Sequence, residues 1–262
     1  MKTGSCKWSV PLTMYNIYGM TDMGSVRTSN EDGFAVNEVV IAAGDYRADA
    51  NTDFLTVVCD GMGGESSGDV ASAIALKAFA RAEGIAGKDD LKRLVEQTVQ
   101  DDLQRHMDRH PQTKGMGTTA AGVLCRSDRM TIFHIGDSRV YRFRDGFIKP
   151  LTKDHSLVET LFDTGQISYQ DKRTHPERHV LLRSLGQPQV QVEIQELPHS
   201  AEVGDLFLIC TDGLTEYVTE DELEALLQEP KPLDQLAQEM VRRAKAGGGA
   251  DNITVVLIKR AD

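Results

Sequence analysis

The sequence lacks a membrane span: no apolar run approaches the roughly 20 residues a helix needs to cross a bilayer. Its first residues, MKTGSCKWSVPLTMYNIYG, lack the long apolar core and the cleavage site of a signal peptide. Cysteine is scarce. Only Cys6, Cys59, Cys125 and Cys210 occur, with no C-x-x-C pair, and three of them end apolar strand-like runs. Buried, reduced thiols in a cytoplasmic protein are expected rather than disulfides or zinc ligands. A basic surplus is also missing. Lysine and arginine number 29 against 40 acids, a formal charge of −11, which argues against general nucleic-acid binding. There is no internal repeat, coiled-coil heptad or low-complexity linker, so one domain is the simplest organisation.

What is present is enough for a full core in 262 residues. Residues 1–14 read as a loose leader and 15–260 as the domain. Tyr15 to Gly19 reads as a short strand. Phe54 to Cys59 is a β-rich apolar run ending at Asp60-Gly61-Met62-Gly63-Gly64, where the strand is expected to stop in a turn with exposed carbonyls. Ser66 or Ser67 is placed to cap a helix reaching about Glu83, and a second helix is expected over about Asp89 to Met107. Small residues from Thr118 to Cys125, then Met130 to Ile135 and a strand through Tyr141 and Phe143, predict an antiparallel meander. Residues 152–189 change character, with a short helix from Ser156 to about Gly165 and then a polar stretch, and read as an inserted flap. Val190, Val192 and Ile194 alternate as a half-exposed strand does, and Asp205 to Cys210 is a buried strand. Thr219 with Glu222 forms a capping box. A helix with Leu233, Leu236, Met240 and Ala244 on one face closes at Gly247, and Ile253 to Ile258 is a last buried strand.

The acids stand at the ends of these strands. Asp60, Asp137, Asp212 and Asp251 each sit where a strand meets a loop, three of them beside a glycine, and a polar loop carries Arg27, Glu31 and Asp32. Alone, each is ordinary: an Asp-Gly turn, or an Arg27–Glu31 ion pair. Together, crowded carboxylates repel, and divalent cations would remove that cost. An all-oxygen set without a Cys/His group points to Mg²⁺ or Mn²⁺ rather than zinc. Such ions would acidify water and neutralise phosphoryl oxygens, and Arg27 would offer a fork for the same oxygens. The chemistry expected is phosphoester hydrolysis without a covalent intermediate. His155, His175 and His179 fit no common metal spacing and are expected to pack or lie at the surface.

Six motifs then fall in a recognisable order: R-T-S-N-E-D at 27–32, D-G-M-G-G at 60–64, G-T-T at 117–119, G-D-S-R at 136–139, T-D-G-L at 211–214 and D-N-I-T at 251–254. In these the sequence resembles the bacterial protein phosphatase 2C-like (PPM) family over about residues 15–259. The resemblance implies an α+β fold, a four-layer α/β/β/α sandwich of two antiparallel sheets flanked by helix pairs, with a flap at 152–189 that helps admit substrate. It implies hydrolysis of phosphoserine and phosphothreonine in proteins. Asp60 would bridge two metals, joined by the Gly61 carbonyl, with Asp212 and Asp251 on the other metal. Glu31 and Asp32 would act on the metals or their waters, and Arg27 would bind substrate phosphate. Asp137 with Asp212 would suit a third ion, and Glu216 falls near that site. Met62 stands where some members have a histidine proposed as general acid, and it cannot donate a proton. The implied partners are phosphorylated proteins and a Hanks-type Ser/Thr kinase; the sequence carries no sign of oligomeric state, and a monomer is the default expectation.

Overall fold

The computed structural model describes residues 14–63 and 67–261. The leader, apart from Met14, and Cys6, Gly64 and Ser66 lie outside that range. Among the described residues the chain runs β1 (Tyr15–Asp22), β2 (Asp32–Val36), β3 (Val39–Ile41), β4 (Gly44–Ala50), β5 (Phe54–Met62), α1 (Gly68–Ala80), α2 (Lys88–Arg93), a π-helical segment (Leu94–Val99) and α3 (Gln100–Arg109). It continues through β6 (Gly117–Thr118), β7 (Ala120–Arg126), β8 (Arg129–Ile135), β9 (Arg139–Arg144), β10 (Phe147–Pro150), α4 (Leu157–Asp163), α5 (Tyr169–Thr174) and β11 (Glu193–Glu196). It ends with β12 (Leu206–Cys210), α6 (Asp212–Thr215), α7 (Glu220–Leu227), α8 (Leu233–Gly247) and β13 (Ile253–Arg260).

The strands form two sheets, ordered β10-β9-β12-β13-β1-β4 and β11-β8-β7-β5-β2-β3, with β6 beside β5. The strand pairings are antiparallel. The central strands read as unbroken apolar runs because both faces are covered. Along β5, Leu55, Val57 and Cys59 face α1 and the α2–α3 helix, while Phe54 and Val58 face the other sheet. Along β13, Val256 and Ile258 face between the sheets, and Ile253, Val255 and Leu257 face α7 and α8. Helices on one sheet, two sheets face to face and helices on the other make the expected α/β/β/α sandwich. Cys59, Cys125 and Cys210 are buried and free. Among the described residues no helix is long and apolar enough to cross a membrane.

Several local expectations are corrected. β5 does not stop at Asp60. It runs on through Gly61 to Met62, because β6 pairs with Gly61 and Met62 and the Gly61 N–H donates to the Glu31 carbonyl at 3.1 Å. Ser67 stands at the start of α1, but its hydroxyl accepts no capping bond, and the helix ends at Ala80 rather than near Glu83. β2, β3 and β4 were not among the expected strands; of these β4 is an edge strand reading GDYRADA with four of its seven residues exposed. The polar stretch after Gly165 contains a helix, α5, held by a Ser168–Asp171 capping box. The Thr219–Glu222 box forms as expected.

Candidate metal centre

The acids converge because the strands that carry them end together. Asp32 and Asp60 are register partners on β2 and β5, so their side chains lie on the same face of one sheet. Asp212 opens α6 after β12, and Asp251 stands just before β13, both in the other sheet. Asp137 follows β8. A cavity of about 500 Å³ at this meeting point is lined by Arg27, Glu31, Asp60, Gly61, Asp137, Asp212, Glu216 and Asp251, with Met62 at its wall. Asp32 lies beneath it, buried between the sheets, and does not line it. One of its oxygens, Oδ2, accepts from the hydroxyls of Thr211 and Thr254, each at 2.8 Å.

Threonines and one asparagine hold the acids in place. The Asp60 N–H donates to Thr119 Oγ1 at 3.0 Å, while its carbonyl accepts from the Thr119 N–H at 2.8 Å and the Thr118 hydroxyl at 2.9 Å. The Asn252 side chain accepts from the Glu31 N–H at 2.8 Å and donates to the carbonyls of Met23 and Ser29. Sequence reasoning found these residues only as motif members; their work as braces needs the register and the loop path. Close approach also demands glycine: a side chain on Gly61 would lie 1.9 Å from the Gly68 carbonyl oxygen, and one on Gly68 would meet the Glu31 carboxylate at 2.8 Å. Glu31 thus rests against the first turn of α1, where the helix dipole favours its charge.

Arg27 does not pair with Glu31. Its Nη2 donates to Asp251 Oδ2 at 2.8 Å, bringing a positive charge among the carboxylates. His179 lies beside Asp212 (4.0 Å) and Glu216 (3.9 Å), and Arg178 donates to Glu216 at 3.0 Å. His175 does not line the cavity and lies outside the group of expected acids. His155 is buried, and it stacks on His134 instead of reaching the acids.

The electrostatics show strain that a cation would relieve. Burial pushes Asp32 up to about 7 against the two threonine bonds, with the charges on Asp212 and Asp251 adding to the push. Burial, then Asp251 and Glu216, push Asp212 up to about 6, opposed by His179. Burial and the surrounding aspartates hold Asp60 and Asp137 well above the usual carboxylate range. Glu31 is raised too, by burial first. Asp212 Oδ1 is buried without a hydrogen-bond donor. An acceptor left in that state is costly, and an all-oxygen donor set with such an orphan fits a hard divalent cation.

Known proteins share the sequence family and the fold. The family model for protein phosphatase 2C matches residues 40–257. The chain therefore belongs to the protein phosphatase 2C (PPM) family and is a metal-dependent serine/threonine protein phosphatase of the bacterial type. It is 33% identical over 247 residues to the serine/threonine phosphatase stp of Listeria monocytogenes, covering 92% of this chain and 94% of that one. The serine/threonine phosphatase PstP/Ppp of Mycobacterium tuberculosis superposes with a TM-score of 0.82 at 31% identity, over 95% of this chain and 100% of that structure. The PstP catalytic domain in complex with two manganese ions superposes with a TM-score of 0.79 at 30% identity, over 95% of this chain and 100% of that one.

Proposed function

We propose that Asp60, Asp212 and Asp251, with Glu31 and the Gly61 carbonyl, hold a pair of Mn²⁺ or Mg²⁺ ions, and that Asp137 and Glu216 offer room for a third beside Asp212. The observation that carries this reading is the convergence of these acids from separate segments onto one cavity, with Asp212 Oδ1 left without a donor. Bound there, divalent cations would supply charge to neutralise phosphoryl oxygens and would acidify a water for attack on phosphorus. The chain's own residues do the rest. The bonds from Thr118 and Thr119 to the Asp60 backbone fix the strand position from which its carboxylate would help hold the ions. Asp32, anchored by Thr211 and Thr254, lies under the cavity and has one oxygen left to accept from a water there. Arg27, now paired with Asp251, would offer its guanidinium as a fork to the phosphate of a phosphoserine or phosphothreonine once ions bound beside Asp251 took over that carboxylate's charge. Met62 donates no proton, so the leaving alkoxide takes its proton from water in the cavity.

The segment 152–189, carrying α4 and α5, is the flap of this reading. Its Arg178 and His179 stand at the cavity rim, placed to meet a substrate protein. The substrates are phosphorylated proteins, and the opposing activity is a Hanks-type Ser/Thr kinase of the same cytoplasm. Initial rates on a phosphothreonine peptide with Mn²⁺, with chelator and for Asp60→Asn and Asp251→Asn test it. Both substitutions should cost at least about a thousandfold, since several kcal/mol of charge stabilisation goes with the ions. Full activity after chelation would overturn the reading.

A further inference from the structure

The turn that presents Asp137 is gripped by two residues near the start of the 152–189 segment. Asp154 takes two bonds from the Arg139 guanidinium, at 2.8 and 2.6 Å. His155 takes hold of Gly136 at both of its polar groups. The His155 N–H donates to the Gly136 carbonyl at 2.9 Å, and the Gly136 N–H donates to His155 Nδ1 at 3.2 Å. An imidazole that accepts at Nδ1 carries its proton on Nε2, and Nε2 lies 3.1 Å from Glu193 Oε1. Glu193 accepts that proton's hydrogen bond, so it fixes the tautomer that Gly136 needs. Arg183 in turn donates to Glu193 at 3.2 Å.

The ring has little freedom to do anything else. His155 is buried and stacks on His134, with centroids 4.5 Å apart and planes at 17°. His134 is fixed by its own bond to the Lys153 carbonyl at 2.8 Å. The carbonyl of His155 accepts from the Leu182 N–H at 2.8 Å, tying the return of the flap to the same residue. His155 therefore links the end of β8, both limbs of the flap and β11.

We propose that His155, held in one tautomer by Glu193, is a positioning residue that fixes the Gly136–Asp137 peptide at the rim of the carboxylate cavity. It contacts none of the cavity acids; it acts through Gly136. Its consequence for cation binding rests on the reading of Asp137 as a cation-binding acid, and the test separates the two. His134, His155 and Glu193 also present ligand-type atoms within 4.8 Å of one another. A cation among them would need His155 Nε2 without its proton, which would break the Gly136 bond. The hydrogen-bonded network and a metal site there are therefore exclusive.

The test is nitrogen-edited NMR on the full chain, with amide exchange at Gly136 and the scalar coupling across the Gly136 N–H to His155 Nδ1 bond. His155→Phe keeps a stacked ring and removes both nitrogens. His155→Asn places Oδ1 where Nδ1 was, and it restores the acceptor. The wild type should show the coupling. His155→Phe should speed Gly136 exchange at least tenfold, and His155→Asn should return it to within threefold. Titration with Mn²⁺, read by electron paramagnetic resonance, should show the weakest class of sites weakened about tenfold in His155→Phe with the tighter ions unchanged. If Asp137→Asn leaves that weak class intact, the cation role of Asp137 fails while the Gly136 measurements still decide this proposal. Unchanged Gly136 exchange in His155→Phe, equal loss in His155→Asn, or stoichiometric Zn²⁺ binding that abolishes the coupling would each overturn it. Should His155→Phe not fold, the wild-type coupling and Glu193→Ala, which should weaken the coupling, decide alone.

Discussion

At the residue scale the cavity acids are defined by what surrounds them. Asp251 is paired with Arg27 at 2.8 Å, so the guanidinium occupies a position among the acids that a cation would contest. Arg27→Ala should raise KM for a phosphothreonine peptide by about 10–100-fold, as a charge-assisted contact of about 1.5–3 kcal/mol is lost, with a smaller change in kcat; steady-state kinetics at saturating Mn²⁺ check this. The raised carboxyls make a second prediction. Asp32 and Asp212 hold their protons up to about 7 and about 6 in the fold, against about 4 in an unfolded chain. Their folded pKa values lie above the unfolded ones, so the stability they contribute is full below about pH 4 and is lost as pH rises through about 6 to 7. Chelated protein should therefore lose melting temperature between pH 5 and pH 8 by this route, and the gain on adding Mn²⁺ should grow over the same interval. Calorimetry at constant ionic strength measures both; a Mn²⁺ gain that shrinks with pH would contradict the account. The acids of this cavity were legible because they recur beside strand ends. Their braces were not, because a threonine or asparagine in a motif gives no sign of which carbonyl it will reach.

At the element scale the register does what the motifs cannot. Pairing of Asp32 with Asp60 across β2 and β5 places two acids side by side, and Thr211 and Thr254 cross from the other sheet to hold Asp32. Thr254→Val keeps the shape of the strand and removes one donor from a buried carboxylate. It should destabilise the protein by about 1–3 kcal/mol and weaken Mn²⁺ binding, read by denaturant unfolding with and without the ion. The capping box on α7 is farther from the chemistry: Thr219→Ala should cost about 1 kcal/mol and leave the kinetics unchanged. The long helices and the two-faced apolar strands could be read from periodicity. β4 was hard to read, since its inward face is only Tyr46, Ala48 and Ala50, alternating with the exposed Asp45, Arg47 and Asp49. The continuation of β5 through Asp60-Gly61 was also hidden. Glycine there marks the close crossing of α1 over the strand, not a turn that ends it.

At the scale of the whole molecule, two sheets pressed face to face bring strand ends from distant parts of the chain to one edge, and that is how residues from 27 to 251 share a cavity. The layer order and all the cavity's acids were legible in the sequence except that Asp32, expected among them, lies beneath, because six spaced motifs and four helix-or-strand blocks constrain one another. The path of residues 152–189 was not, since much of it is set by hydrogen bonds between polar loops with no periodicity. Anomalous diffraction at the manganese edge from Mn²⁺-soaked crystals decides whether the cavity traps cations. Two strong peaks are expected between Asp60, Asp212, Asp251 and Glu31, with any third peak beside Asp137. Peaks confined to surface carboxylates, or none within the cavity, would contradict that expectation.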